Sequence, residues 1–312
     1  MDLDIAPGAT VGLIGESGSG KSVMAQSIMR IVPYPGVIVS GSIVAVTSAH
    51  GTIDLARLDP RGRTIRDIRG KDIAMVFQEP MTSLSPVHTI GDQIGEAIKL
   101  HRPSDADRVH EVTLEMLAKV GISNPAQRIN EYPFQFSGGM RQRVMIAMAL
   151  SCDPRVLVAD EPTTALDVTV QAQILELIAG LQRSTGMSVL YITHDLGVIA
   201  EIADVVNVMY LGRVVERASV IPLFEQPRHP YTQGLLKSIP DLERTGRRRL
   251  NPIQGNVPVP LDPPVRCGFY GRCPVAIEGR CDVAQPALVT DAEGHGVRCF
   301  RVNDQVEVVS DE

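Results

Sequence analysis

A glycine- and serine-rich stretch that ends in Lys-Ser carries the clearest chemistry in the sequence. It consists of Gly15, Glu16, Ser17, Gly18, Ser19, Gly20, Lys21 and Ser22. The stretch fits the pattern G-x-x-x-x-G-K-[ST], in which glycines let consecutive backbone N–H groups curl around phosphate oxygens. A lysine at this position reaches the β- and γ-phosphates, and the next hydroxyl ligates Mg²⁺. The pattern therefore predicts that residues 15–22 bind ATP or GTP together with Mg²⁺.

The elements that must position this loop are present on both sides of it. Residues 10–14 form a short apolar run that predicts a buried strand, and residues 22–30 predict a helix. A helix that begins at the loop adds its N-terminal N–H groups and partial positive charge at the phosphates. A chance Gly/Ser turn is the alternative, and the order of strand, loop and helix argues against it.

A second apolar run, at residues 156–159, is followed by two carboxylates, Asp160 and Glu161. Asp160 is suited to hold Mg²⁺ through water, and Glu161 to polarise the attacking water as a general base. Taken alone, an acidic pair after a strand could equally be the start of a solvated loop. In a chain that also has a phosphate-binding loop, we expect the pair to belong to the same nucleotide site.

The remaining hydrophobic pattern predicts the fold class. Apolar runs at residues 72–77, 156–159 and 188–193 predict buried strands, and the segments around them have helical spacing. Such alternation indicates an α/β fold with a mainly parallel sheet covered on both faces. Residues 37–55 predict two antiparallel strands, and residues 89–120 a helical insertion.

Composition restricts the possible partners and location. The 312 residues include 30 Lys and Arg against 36 Asp and Glu, a formal net charge of −6, so we expect no nucleic-acid partner. No stretch approaches the roughly 18 apolar residues that a membrane span requires, and no signal peptide is evident. We therefore expect a soluble protein in the cytoplasm.

The motif that points to a particular family is Ser137-Gly138-Gly139-Met140-Arg141-Gln142-Arg143. Here the chain resembles the ATP-binding cassette (ABC) family, whose signature is a Ser-Gly-Gly turn that opens a helix. The family's other motifs follow in order: Gln78 in Phe77-Gln78-Glu79-Pro80, Asp160-Glu161, Asp167 in Ala165-Leu166-Asp167, and His194 in Thr193-His194-Asp195. The resemblance extends from residue 1 to about residue 240.

The resemblance implies a P-loop ATPase with catalytic residues Glu161, His194 and Gln78. Gln78 would sense Mg²⁺ and the lytic water, and His194 would hydrogen-bond the γ-phosphate. Ser137, Gly138, Gly139 and Asp167 would contribute to nucleotide sites shared in a head-to-tail dimer, with a second copy or a paralogue as partner. The mechanism expected is ATP-driven closure of this dimer with in-line attack of water.

Residues 78–86 and 229–236 are similar to the dipeptide/oligopeptide importer branch of the family. That likeness implies a peripheral ATPase on the cytoplasmic face of the membrane, two transmembrane permease subunits and an extracytoplasmic solute-binding protein.

A nickel or other small-solute importer remains an alternative. A cassette ATPase acting on DNA or the ribosome is another, although Ser22 and Ser137 are only 115 positions apart and the chain has one cassette. A non-hydrolysing regulatory cassette is a further alternative, and the intact motif residues argue against it.

The expected domains are an ATPase domain over residues 1–240, with a helical subdomain at about 79–150, and a C-terminal extension over 241–312. The family's antiparallel β-subdomain is expected to be N-terminally incomplete. None of the fourteen residues before Gly15 is aromatic, whereas related cassettes stack an upstream aromatic residue on adenine. We therefore expect weakened nucleotide affinity in this form of the chain.

Four of the five cysteines lie in the extension: Cys267, Cys273, Cys281 and Cys299. Four thiolates suit a tetrahedral Zn²⁺ or an iron–sulfur cluster, and their spacing alone does not choose between them. Because related importer ATPases carry similarly placed cysteines and a 4Fe–4S cluster occurs in that branch, the resemblance implies iron–sulfur, with Zn²⁺ and free thiols as alternatives. Cys152 is expected to be a buried small hydrophobe, and Arg247-Arg248-Arg249 a solvated linker.

Overall fold

The computed structural model of the chain describes residues 2–78, 83–164, 166–238, 253–258, 262 and 264–304. The chain divides into two compact units. The first unit comprises Met1–Ile5, Ala9–Lys21 and Thr193–Glu312, and the second comprises Ala6–Gly8 and Ser22–Ile192. Glu79 and Pro80 of the glutamine motif, Ala165 and the Arg247-Arg248-Arg249 run lie outside the described residues.

The strands of the described residues follow in chain order. They are β1 (Thr10–Ile14), β2 (Val44–Thr47), β3 (Gly51–Asp54), β4 (Ile73–Val76), β5 (Val156–Asp160), β6 (Ser188–Ile192), β7 (Val205–Tyr210), β8 (Arg213–Ser219), β9 (Val289–Thr290) and β10 (Gly296–Val297).

The α-helices of the same residues are α1 (Lys21–Ile28), α2 (Arg63–Ile68), α3 (Ile90–His101), α4 (Val109–Lys119), α5 (Pro125–Arg128), α6 (Gly138–Leu150), α7 (Val168–Thr185), α8 (Leu196–Ile202), α9 (Val220–Glu225), α10 (Pro230–Lys237) and α11 (Phe300–Asn303). Short 3₁₀ turns occur at Leu55–Arg57, Pro103–Arg108, Pro133–Gln135 and Tyr270–Arg272.

The first unit is built on β1, whose five residues are all buried. β1 pairs in parallel with β7, with Val11 opposite Val205, and β7 pairs antiparallel with β8. The two-residue strands of the C-terminal extension continue this ladder, because β10 pairs with β8 and β9 with β10. The extension therefore contributes strands to the same unit as β1.

The second unit contains the parallel ladder β4-β5-β6. Every residue of β4 and β6 is buried, as expected for strands covered on both faces. Helices α3, α4 and α6 contact one another, and the first of them begins with a capping box between Thr89 and Asp92. β2 and β3 form a separate antiparallel pair.

Most sequence-predicted elements agree with the structure within a few residues. The predicted strands at 10–14, 72–77, 156–159 and 188–193 correspond to β1, β4, β5 and β6. Helix α6 begins at the residue after Ser137, as predicted. Cys152 is buried, which confirms that prediction, and its burial raises the pKa of the thiol.

Candidate functional site

The phosphate-binding loop follows β1 in the first unit, and its backbone needs glycine at three positions. Gly18 and Gly20 have φ of 81° and 103°, values that residues with a side chain rarely adopt. A Cβ atom on Gly15 would lie 2.3 Å from the carbonyl oxygen of Met209 in β7. The loop is thus shaped by packing against a neighbouring strand as well as by its own sequence.

Lys21 folds back over this loop. Its Nζ donates to the carbonyl oxygens of Gly15, at 2.8 Å, and Glu16, at 3.2 Å, and the residue is 6% exposed. Within the described residues the buried Ser19 hydroxyl has no hydrogen-bond partner. An ammonium held inside a loop of turned N–H groups is the arrangement that a polyphosphate requires.

Ser22 and Asp160 are brought together in the second unit. Asp160 ends β5 and is buried, and the Ser22 hydroxyl donates to its Oδ1 at 3.3 Å. The two residues were predicted as Mg²⁺ ligands from distant parts of the sequence. A hydroxyl and a carboxylate are oxygen donors of the kind that Mg²⁺ takes, so the residues present fit the ion.

Glu161, the residue after β5, has a left-handed backbone with φ of 48°. This conformation is uncommon for a residue with a side chain and is often found at functional sites. Its N–H donates to the carbonyl of Ile192 at 2.9 Å. The strained backbone therefore fixes the direction of the side chain at the end of the parallel ladder.

The Glu161 carboxylate contacts two other side chains of the same unit. Its Oε2 accepts from Gln78 Nε2 at 3.3 Å and from Thr164 Oγ1 at 2.9 Å. Gln78 follows β4 and Glu161 follows β5, so the ends of two neighbouring parallel strands bring these two side chains together. The contact with Thr164 was not predicted from the sequence, although a hydroxyl three residues after a carboxylate in a turn could have indicated it.

His194 lies in the first unit, two residues beyond the end of β6, and is exposed. Its neighbours hold the turn on both sides. Thr193 donates its N–H to the carbonyl of Leu13 in β1 at 3.2 Å. Asp195 caps α8 by accepting from the N–H groups of Gly197 and Val198. The imidazole is therefore presented by a turn that is tied to the strand preceding the phosphate loop.

The predicted signature residues cap helices of the second unit. The Ser137 hydroxyl accepts from the Met140 N–H at the start of α6, and the Asp167 carboxylate accepts from the Val170 N–H at the start of α7. Ser137 and Gly138 are exposed, and a Cβ on Gly138 would meet no atom within 4 Å. Gly139 instead faces Val170, 2.9 Å from its would-be Cβ.

The four cysteines of the extension line one small cavity. They share it with aromatic side chains that include Phe269 and Phe300. The cysteines are free thiols, and burial raises the pKa of Cys267 to about 11 and those of Cys273 and Cys299 in the same direction. In the described part of the chain, no group of three or more His, Cys, Asp or Glu side chains is arranged to hold a metal ion.

Comparison with known proteins gives the family. The model of the ABC transporter family matches residues 1–164, and that of the oligopeptide/dipeptide transporter C-terminal region matches residues 215–281. A putative peptide import ATP-binding protein of Brucella ovis is 51% identical, covering 96% of this chain and 90% of the relative. The dipeptide transport ATP-binding protein DppD of Bacillus subtilis is 47% identical, covering 98% and 90%.

Solved structures agree with the sequence comparison. A dimeric ATP-binding cassette in a post-hydrolysis state, bound to ADP and Pi, matches with a TM-score of 0.60 and 28% identity, over 70% of this chain and 88% of that one. The protein cbiO1 from Clostridium perfringens, part of the ABC transporter complex cbiONQ, matches with a TM-score of 0.57 and 25% identity, over 72% of this chain and 83% of that one.

The fold and the ordered motifs define an ATP-binding cassette, an ATPase built around a phosphate-binding loop. The chain belongs to the ABC transporter family and carries the C-terminal region of its oligopeptide/dipeptide branch. The predicted family, fold class and ATPase activity are thereby confirmed. None of the helices in the described ranges has the length and apolarity needed to span a bilayer.

Proposed function

We propose that this chain is the ATP-hydrolysing, energy-coupling subunit of an importer of dipeptides or oligopeptides. The observation that carries the proposal is the match of residues 215–281 to the oligopeptide/dipeptide C-terminal region, in a chain with a complete set of ATPase motifs. Relatives that cover nearly its whole length are named for peptide or dipeptide import, which supports peptides over nickel or other small solutes.

Each site residue then has a chemical role. The N–H groups of residues 15–20 and Lys21 would hold the phosphates. Ser22 and Asp160 would hold Mg²⁺, which would supply positive charge to the phosphates. Glu161 accepts a proton from the attacking water, and Gln78, already hydrogen-bonded to it, orients that water. His194 donates to the γ-phosphate from its exposed turn.

The exposed start of α6 supports a site shared between two cassettes. Ser137 and Gly138 lie at the N-terminus of a 13-residue helix, where free N–H groups and the helix dipole favour a phosphate. We propose that this turn, with Asp167, completes the nucleotide site of a second cassette in a head-to-tail dimer. The second cassette is either another copy or a paralogue.

The remaining partners are membrane proteins. Two permease subunits would hold the dimer at the cytoplasmic face of the membrane, and an extracytoplasmic solute-binding protein would deliver the peptide. The helical region between Gln78 and α6 would receive the permease. The division into an ATPase domain at 1–240 and an extension at 241–312 remains part of this proposal.

For the cysteines, we propose a thiolate-held iron–sulfur cluster, with Zn²⁺ as the alternative. The position of all four cysteines in the lining of one cavity supports it, because thiolates are the ligands that both groups take. Anaerobically purified protein should contain iron, with broad visible absorption, and Cys273→Ser should lower the iron content. Cys152→Ser, which alters the buried thiol outside the extension, is the control. Protein without iron or zinc would establish free thiols.

The proposed chemistry is tested by Glu161→Gln in the complex with its permeases. We expect unchanged ATP binding and a turnover lower by ~10²–10⁴, the range for loss of a general base. Glu176→Gln, on the exposed face of α7, should retain normal turnover. Normal hydrolysis by Glu161→Gln would remove that residue from the mechanism.

The proposed substrate is tested with the same complex in vesicles, together with its solute-binding protein. Dipeptides or oligopeptides should stimulate ATP hydrolysis and accumulate inside, whereas Ni²⁺ should do neither. Stimulation by Ni²⁺ alone would replace the peptide importer with a nickel importer.

A further inference from the structure

Arg272 of the C-terminal extension forms an ion pair with a residue of the phosphate-binding loop. Its Nη1 lies 2.6 Å from Oε2 of Glu16, and its Nη2 lies 2.9 Å from Oε1. The pair joins side chains 256 positions apart within the first unit. The arginine side chain is 6% exposed and the glutamate 29%. The two parallel N–H···O contacts make this a bidentate ion pair, the strong form of an arginine–carboxylate contact.

The other contacts of Arg272 fix the position of its guanidinium. Nε donates to the carbonyl of Gln254 at 2.9 Å, and Nη2 donates to that of Gly255 at 2.9 Å. The guanidinium also lies over the ring of Tyr210, 5.8 Å from its centre, at the end of β7. Hydrogen bonding to Glu16 raises the pKa of Arg272 further above its usual value, so the group is a permanent positive charge.

The backbone of Glu16 is held from the same part of the chain. Its N–H donates to the hydroxyl oxygen of Tyr231 at 2.8 Å, and Tyr231 is fully buried in α10. Phe269, three residues before Arg272, packs against both Tyr210 and Tyr231. One cluster therefore holds both the side chain and the N–H of the second residue of the loop.

The charge of Glu16 gives this cluster a consequence for nucleotide binding. A carboxylate in a loop that accepts a triphosphate repels the ligand unless a cation neutralises it, and the repulsion is strong where water is partly excluded. Arg272 is the cation that the structure places on it. Glu16 itself is bound at its carbonyl by Lys21, so its position also bears on the lysine that contacts phosphate.

We propose that Arg272 is a positioning residue of the nucleotide site: it neutralises Glu16 and, with Tyr231, holds the phosphate-binding loop ready for ATP. The C-terminal extension thereby sets the affinity of the cassette for ATP. The inference rests on the proposed function of residues 15–22 as the phosphate site.

The test is a set of three variants, measured as KM for ATP and kcat in the complex with the permeases. Arg272→Gln leaves the Glu16 carboxylate unpaired, so KM should rise about 10-fold, within the usual range of coupling between groups, with kcat changed less than about 2-fold. Arg272→Lys keeps the positive charge but cannot form the bidentate contact, so its KM should lie between those of the unaltered chain and Arg272→Gln. Adding Glu16→Gln to Arg272→Gln removes the repulsive charge and should bring KM back to within about 3-fold of the unaltered chain.

Two controls separate this effect from damage to the extension and from failure of the proposed site. Arg280→Gln removes an arginine of the same extension that pairs with Asp304, and it should leave KM unchanged. Lys21→Ala should abolish ATP binding; if it does not, the proposed role of the loop is wrong. If Lys21→Ala abolishes binding while Arg272→Gln has a normal KM, only the role of Arg272 is overturned. Failure of Glu16→Gln to rescue Arg272→Gln would also overturn it, because a loss of folding in the extension cannot be repaired in the loop.

Discussion

Different interactions stabilise the parallel ladder of the second unit and the C-terminal part of the first unit, each considered by itself. β4, β5 and β6 are short apolar strands with nearly every residue buried, so their stability comes mainly from apolar area removed from water. The extension has strands of two residues each. Buried polar side chains also hold this part of the chain, and Glu216 of β8, which contacts His295 of the extension, is one of them.

Glu216 of β8 is fully buried and surrounded by hydrogen-bond donors. Its carboxylate accepts from the N–H groups of Arg228 and His229, at 2.7 and 3.0 Å, and lies 2.7 Å from Nε2 of His295 in the extension. Burial alone would raise the pKa of Glu216, but the hydrogen bonds from His295 and the two N–H groups outweigh it and lower the pKa. Hydrophobicity specifies the parallel ladder, whereas particular polar partners help to specify the C-terminal part of the first unit.

The largest change in the free energy of unfolding is expected for substitution of Glu216. Glu216→Ala leaves two buried N–H groups and the His295 ring without their acceptor, so the free energy of unfolding should fall by about 3–5 kcal/mol. Denaturant unfolding measures it, and Glu225→Ala, on the exposed side of α9, is the control. A loss below about 1 kcal/mol would mean that polar contacts do not hold this region.

The apolar region is probed by Leu190→Ala in β6. Leu190 is fully buried, and the cavity left behind should cost about 3 kcal/mol. Leu100→Ala, in which the side chain is 68% exposed, should change stability by less than about 0.5 kcal/mol. Unfolding curves at neutral and mildly acidic pH should show the same loss of unfolding free energy for Leu190→Ala. A loss that varied with pH would show that the stability of the parallel ladder is not mainly apolar.

A smaller effect is expected from mild acid. Burial lowers the pKa of His229 from 6.5 to about 4, so between these values the unfolded chain binds a proton that the folded chain does not. Stability therefore falls as the pH drops below 6.5, by about 2 kcal/mol between pH 7 and pH 5. Urea unfolding across that range measures the slope, and Leu190→Ala should retain it. A stability that rises on acidification would contradict the neutral buried histidine.

The sequence predicted the regions that rely on hydrophobic pattern and on motif spacing. β1, β4, β5 and β6 are short, mainly apolar runs. Gln78 and Glu161 follow two neighbouring strands of the parallel ladder and are hydrogen-bonded. Ser22 and Asp160, which two separate motifs predicted as Mg²⁺ ligands, also lie within hydrogen-bond distance. The family, the fold class and the ATPase were predicted correctly. The roles of the individual site residues remain predictions.

The C-terminal part of the first unit gave weaker signals. β8 reads Arg-Val-Val-Glu-Arg-Ala-Ser, and a glutamate within it does not predict full burial, because its donors come from distant segments. α8 has seven residues, too few for a clear helical period. The Arg272–Glu16 pair spans almost the whole chain, and single-sequence patterns carry no information about contacts at that separation.

The pairing of β10 with β8 has a consequence for aggregation. β8 pairs with β7 on one side, and Gly296 and Val297 cover part of its other side. An uncovered strand edge presents unpaired N–H and C=O groups and is a template for pairing with another chain. Proteolytic loss of the extension should therefore yield fragments that associate through β8, so the segment also protects the folded chain against edge-to-edge assembly.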